Sequence, residues 1–144
     1  MSDPSPAITC NCLAIRQAAR HVTQLYDQHL APAGLRTTQY SVLFRLDRMG
    51  SLAIHELATR LVMDRTTLGR ALRPLYRAGL VAIGPGGDGR TRALCGTPAG
   101  RQRLEEAAPL WREAQRAFEA GYGASEAADL RAALARLVAT VASG

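Results

Sequence analysis

The sequence predicts a mostly helical α+β domain that carries a single two-stranded β-hairpin. Three observations lead there. Six segments repeat apolar residues at the spacings of three and four that mark a helix face. One Gly-rich run, Gly84-Pro85-Gly86-Gly87-Asp88-Gly89, separates two short β-compatible stretches. The basic charge sits in the middle of the chain rather than throughout it. With 144 residues, 47% apolar and 21% charged, the chain suits one domain, 1–144, that can bury a core without disulfides.

Residues 1–9 hold two prolines and read as a loose tail. The first helix starts at Cys12, with Cys12, Ile15, Ala19, Val22 and Tyr26 on one stripe, and stops near Leu30 because Pro32 and Gly34 follow. Thr37 is an N-cap residue type for a second helix, whose buried face is Tyr40, Leu43, Phe44 and Leu46; Gly50-Ser51 breaks it. A short helix fits Ile54 to Leu61, with Leu57, Ala58 and Leu61 inward, and Val62-Met63 makes a turn.

Asp64 then caps a helix from Arg65 to Arg77, with Leu68, Leu72 and Leu75 inward and Gly79 at its end. Pro74 inside that helix predicts a bend. Leu80 to Ile83 and Arg90 to Cys95 are the hairpin strands. Thr97 caps a long helix with Pro98 at its first position, with Leu104, Ala108, Trp111, Phe118 and Tyr122 on its stripe, closed by Gly121 and Gly123. Ser125 caps the last helix, striped by Leu130, Leu134, Leu137 and Val141.

All 18 basic residues are Arg. Residues 1–35 are neutral overall. Residues 36–103 set twelve Arg against Asp47, Glu56, Asp64 and Asp88, a net of +8, and residues 104–144 carry a net of −2. A basic middle between neutral or acidic ends is the footprint of a polyanion-binding module. Two short helices joined by a tight turn form a helix-turn-helix, and the hairpin makes it a winged one. Opposite its leucines, the second of these helices offers Arg65, Thr66, Thr67, Gly69, Arg70 and Arg73. Arg pairs bidentately with guanine in a major groove, and Thr hydroxyls reach phosphates or bases. Arg90 and Arg92 on the hairpin suit an adjacent minor groove.

The first and last helices cannot bury their stripes alone, so a homodimer is expected. On this division, residues 10–35 and 98–144 form the dimerisation region and 36–97 the DNA-binding lobe. The alternative is a winged-helix dimer acting through protein contacts alone, against which the retained arginines weigh. Catalysis is not expected. There is no Gly-rich phosphate loop after a strand, no His-Glu-x-x-His and no nucleophile elbow, and His21 and His29 are eight residues apart, too far for one metal. No catalytic residue, metal or cofactor is therefore assigned. Met1 to Thr9 lacks the pattern of a secretory leader and no apolar run is long enough to span a bilayer, so a cytoplasmic location without membrane contact is expected.

Glu56-Leu57-Ala58, Asp64-Arg65-Thr66-Thr67, Gly79-Leu80-Val81, Asp88-Gly89-Arg90 and Thr97-Pro98-Ala99-Gly100, in that order and spacing, resemble the MarR family of bacterial transcription regulators. The resemblance runs from about Cys12 to the end. It implies a homodimer on a pseudo-palindromic operator in double-stranded DNA, usually as a repressor. The helix from Arg65 would be the recognition helix. Asp88 would orient the wing tip and Arg90 would touch DNA. Gly69 stands where the family often has a polar side chain, and Ala53 replaces the usual Thr or Ser cap.

Two signals are open. Cys10 and Cys12 lie at a helix start, a position suited to a reactive thiol, and Cys95 on the hairpin reads as structural. Cys12-Leu13-Ala14-Ile15 with Ala19-Arg20 and Tyr26 is similar to the hydroperoxide-sensing branch of the family, in which such a tyrosine bonds the sulfur. Arg16 and Thr37 depart from that branch's other tyrosines, and Arg16 would put positive charge beside Cys12. An inert, packed Cys12 and a soft-metal Cys10–Cys12 pair are the other readings of these thiols. The competing signal is a small aromatic acid as effector, whose pocket would be lined by Arg16, Arg20, His21, Tyr26 and Tyr40.

Overall fold

The computed structural model describes residues 9–86 and 92–142. Its order is α1 (Asn11–Leu30), a 3-10 turn (Ala31–Ala33), α2 (Thr37–Met49), β1 (Leu52–Ala53), α3 (Ile54–Leu61), α4 (Arg65–Arg77), β2 (Val81–Pro85), β3 (Arg92–Gly96), α5 (Pro98–Tyr122) and α6 (Ala124–Ala142). The expected six helices and hairpin are all present. The expected loose tail lies outside the described residues, Thr9 apart.

Local chemistry sets each boundary. The Cys10 sulfur caps α1 by accepting from the Leu13 N–H at 3.4 Å. After α1, Pro32 holds the 3-10 turn and Gly34 reverses the chain at φ 72°. Thr37 does not cap α2. It is the first helical residue, and its N–H donates to the Asp27 carboxylate on α1 at 2.8 Å. Arg36 takes the cap position, where its N–H donates to the Gln39 side chain at 2.9 Å. On α2, Tyr40, Leu43 and Leu46 are buried as expected, but Val42 joins them and Phe44 is 42% exposed. Phe44 lies about a third of a turn from the centre of the stripe formed by Tyr40, Val42, Leu43 and Leu46.

The sheet has three strands, not two. β1 adds to the hairpin in the order β1-β3-β2, all antiparallel, with Leu52 opposite Leu94 and Ala53 opposite Ala93. β1 buries Leu52 and Ala53 and leads straight into α3. Between α3 and α4, Val62 adopts a left-handed φ of 55°. The Met63 N–H then reaches the Ala58 carbonyl at 2.9 Å, closing α3.

Asp64 caps α4 as expected, accepting from the Thr67 N–H at 2.7 Å and the Thr67 hydroxyl at 2.8 Å. These bonds, the backbone one first, hold its carboxyl below the usual carboxylate range. Leu68, Leu72 and Leu75 are 2% exposed or less. Each leucine so buried contributes about 1.5–3 kcal/mol relative to exposure. α4 continues through Pro74 to Arg77. At its end, Gly79 at φ 71° lets the Gly79 and Leu80 N–H groups reach the Tyr76 and Leu75 carbonyls at 3.0 and 2.9 Å.

Thr97 joins this end of α4 to the start of α5. Its hydroxyl donates to the Gly79 carbonyl at 2.6 Å and accepts from the Gly100 N–H at 3.1 Å, and its own N–H donates to the Leu80 carbonyl at 3.2 Å. α5 packs against α1 and α2 and buries Leu104, Ala107 and Ala114. The expected Ala108, Trp111 and Phe118 are half-buried, and Tyr122 is exposed. Arg101 on α5 pairs with Asp47 on α2 at 3.2 Å. α6 packs on α5 and starts one residue before Ser125, so Ser125 lies in its first turn and is not its cap.

The core lies between α2, α3, α4, the sheet and the first half of α5, and includes Leu30, Leu43, Leu57, Leu68, Leu72 and Leu94. The two terminal helices stay largely uncovered. Of the α1 stripe only Tyr26 is half-buried, while Ile15 and Val22 are exposed. On α6, Leu134, Leu137, Val138 and Val141 are exposed and only Ala127 is buried.

Two substitutions test this account. A Cβ on Gly100 would fall well inside van der Waals contact with the Leu80 carbonyl oxygen. Gly100→Ala therefore lowers stability by about 1–3 kcal/mol in a denaturant titration, through strain at the α4–α5 junction. Unchanged stability would remove that close approach. Asp64→Ala lowers the melting temperature at neutral pH. Because the folded carboxyl titrates below its unfolded value, its contribution is complete above about pH 4 and is lost as the pH falls through the folded value. The gap between parent and Asp64→Ala should close in acid, and a gap constant with pH would contradict the cap.

Candidate nucleic-acid interface

The leucine face of α4 fixes which way its other face points. At about 100° per residue, Thr66, Arg70, Arg73 and Arg77 fall in one line directly opposite Leu68 and Leu75. All four are exposed, as are Arg65 and Gly69 beside them. Among the described residues no carboxylate is ion-paired to Arg65, Arg70, Arg73 or Arg77. Among the described residues, these four guanidinium groups thus have no carboxylate partner, on a helix anchored by its buried side. Arg77 was not singled out from the sequence, although the 4-3-4 spacing of 66, 70, 73 and 77 marks it as part of the same line.

Thr67 departs from expectation. Its hydroxyl proton is committed to Asp64, so it serves the α4 cap and has no proton to offer a phosphate. Thr66 keeps its side chain free on the outer face. Arg92 opens β3, opposite Pro85, and is exposed. Asp88 and Arg90, the expected wing-tip pair, lie outside the described residues.

The three cysteines occupy two settings. Cys10 and Cys12 are both exposed at the start of α1. Cys95 is half-buried on β3, where its S–H donates to the Ala82 carbonyl at 3.4 Å. Cys12, Ile15 and Arg16 line a cleft of about 1190 Å³ together with His55, Val62, Met63 and Arg65 of the helix-turn-helix and Leu137 and Val141 of α6. The thiol end of α1 thus faces the turn that sets α4.

Tyr26 is fourteen residues from Cys12 on the same helix, about 21 Å along the axis, so it cannot bond the Cys12 sulfur of its own chain. Its hydroxyl instead donates to the Gln115 side chain on α5. Burial, and then Glu119, raise the Tyr26 hydroxyl above its ordinary range, partly offset by Arg131.

The expected effector residues do not converge within one chain. Arg16 faces the cleft just described. Arg20 and His21 lie on an open face of α1 with Gln17 and Gln24. Tyr40 lines a separate crevice of about 460 Å³ with Phe44, Arg45, Arg48, Leu61 and Trp111. There the Tyr40 ring stacks on Trp111 at 6.1 Å between centroids, and the Arg48 guanidinium lies 5.2 Å over Phe44. Burial raises the Tyr40 hydroxyl, partly offset by Arg112. Among the described residues no group of three or more His, Cys, Asp or Glu could hold a metal ion, and no helix is long and apolar enough to cross a membrane.

Comparison with known proteins agrees with this geometry. A family model described as the MarR family matches residues 35–83, from the start of α2 into β2. The M. tuberculosis transcriptional regulator MosR, solved in complex with DNA, is 36% identical, with a TM-score of 0.81, and the match covers 93% of this chain and 97% of MosR. A probable transcriptional regulator from Pseudomonas aeruginosa is 30% identical, with a TM-score of 0.79, over 90% of this chain and 97% of its own. An uncharacterized HTH-type transcriptional regulator of Bacillus subtilis, YwoH, is 29% identical over 92 residues, which is 64% of this chain and 67% of YwoH. The chain belongs to the MarR family of transcriptional regulators.

Proposed function

We propose that this chain is a homodimeric, sequence-specific DNA-binding repressor that places α4 in the major groove. The observation that carries the proposal is the line Thr66–Arg70–Arg73–Arg77, exposed and free of carboxylates among the described residues, on a helix held rigidly by its leucines. An Arg line with no internal partner suits phosphates and guanine edges. The similarity to MosR, solved with DNA, supports the same reading. The exposed apolar stripes of α1 and α6 support residues 10–35 and 98–144 as the dimer interface, with 36–97 as the DNA-binding lobe. Two such lobes related by a two-fold axis would read a pseudo-palindromic operator. Arg92, with Asp88 and Arg90, would serve the wing in the adjacent minor groove.

Two release signals fit the structure. In the first, a hydroperoxide oxidises the Cys12 thiol to a sulfenic acid and leaves as the alcohol. A second thiol, Cys10 or a cysteine of the second subunit, then displaces water to form a disulfide. The chemistry occurs at the cleft that α1 shares with the α3–α4 turn, so a change at the start of α1 reaches the support of the DNA-reading helix. In the second, a small aromatic acid occupies the Tyr40–Trp111 crevice, stacked on its rings with the carboxylate toward Arg45 and Arg48. That crevice, rather than a cluster of Arg16, Arg20, Tyr26 and Tyr40, has the aromatic walls and nearby cations such a ligand needs.

DNA affinity should fall steeply with salt, by about 0.9 in log K per log salt for each phosphate neutralised. Arg70→Ala should lose about 1–3 kcal/mol, concentrated at one position of each half-site, and Arg77→Ala should flatten the salt slope by about one. Affinity unchanged in both variants would remove α4 from the interface. Organic hydroperoxide should release the parent from its operator and leave a Cys10→Ser/Cys12→Ser double variant bound. Equal release of both would eliminate the thiol signal, and the aromatic acid would then be tested on the same complex.

A further inference from the structure

Gly69 sits in the middle of α4, on its exposed side. Along one helical row it lies four residues after Arg65 and four before Arg73. Glycine is a poor residue for a helix interior, because it gives up the most backbone freedom on folding. Some glycines of this chain have a reason in the fold, whereas Gly84 and Gly121, like Gly69, have neither a positive φ nor a crowded Cβ position. Gly79 needs its positive φ, and Gly100 needs its missing Cβ to pass the Leu80 carbonyl. Gly69 has neither reason. It is absent from the positive-φ residues, and a Cβ built on it meets nothing within 4 Å. The missing side chain changes only the outer surface, where it leaves a notch reaching the helix backbone between two free guanidinium groups.

The chemistry of the notch restricts what fits it. In an α-helix the Gly69 N–H and carbonyl pair within the helix, with the Arg65 carbonyl and the Arg73 N–H. The notch therefore presents CH₂ and no free donor or acceptor. On the major-groove edges of DNA, the C5 methyl of thymine is the one apolar projection. We propose that Gly69 is a specificity-determining residue whose notch receives a thymine methyl, while Arg65 and Arg73 hold hydrogen-bond acceptors on either side. This rests on the DNA-binding reading above and deepens it.

Filling the notch should move stability and binding in opposite directions. The test uses the full-length, reduced protein and a duplex enriched by it from a random-sequence DNA library. Gly69→Ala should melt about 2–6 °C higher than the parent, because alanine favours the helix. It should bind the enriched duplex about ten-fold more weakly. Replacing thymines by deoxyuridine one at a time removes single methyl groups. One such position in each half-site should weaken the parent about three- to ten-fold and leave Gly69→Ala unaffected.

Equal affinity of parent and Gly69→Ala for the enriched duplex would overturn the proposal and leave the DNA-binding reading intact. So would a loss shared equally by random duplexes, which would mark a backbone contact, or a deoxyuridine scan with no sensitive position. If the library yields no enriched sequence, sequence-specific binding itself fails and the notch proposal fails with it.

Discussion

The burial of Leu68, Leu72 and Leu75 fixes how α4 sits in the fold and which of its faces is turned outward. These side chains face the core at 2% exposure or less. A helix cannot rotate about its axis without withdrawing them, at about 1.5–3 kcal/mol each. The position of Thr66, Arg70, Arg73 and Arg77 on the outer face follows directly. Both ends are fixed as well, by the Asp64 carboxylate on Thr67 and by the turn at Gly79. Thr97 then ties that turn to the first residues of α5. The arginine line is thus oriented by apolar packing and two caps, with no ion pair needed to aim it.

The terminal helices follow a different logic. They join the core through part of α5, through Leu30 and through the Asp27 bond to the start of α2. Most of their apolar surface is left over. Contiguous exposed leucine and valine on α6, facing a cleft shared with α1 and the helix-turn-helix, is the kind of patch that a second subunit covers. The same cleft brings Cys12 and Arg16 within reach of the turn that supports α4. Assembly and thiol chemistry would therefore act on one region, and the orientation of α4 would register both.

Features written in adjacent residues were legible in the sequence. Asp64 before Arg65, Thr97-Pro98 and Gly79 each name a helix end by their own chemistry, and the leucine spacing of α4 named its buried face. Features that need a distant partner were not. β1 is two residues long and exists because β3 pairs with it, so no periodicity announces it. Val42 replaces Phe44 in the core because α2 packs on both α5 and the sheet, which widens the buried face beyond the expected residues. The proposed effector cluster mixed residues from both ends of α1, a rod of about 30 Å whose ends face different neighbours. Thr67 lies off the leucine face, which makes it a candidate contact in the sequence, but the carboxylate three residues earlier takes its hydroxyl proton. Arg77 could have been found by extending the spacing one step further.

Under the proposed function, two copies of α4, presented symmetrically, read double-stranded DNA through their outer faces. Hydroxyl-radical footprinting of the reduced protein on an enriched duplex decides whether they do. Two equivalent protected segments are expected, related by a two-fold axis and about one helical turn, or a whole number of turns, apart. A single protected segment, or uniform protection along the duplex, would contradict that reading.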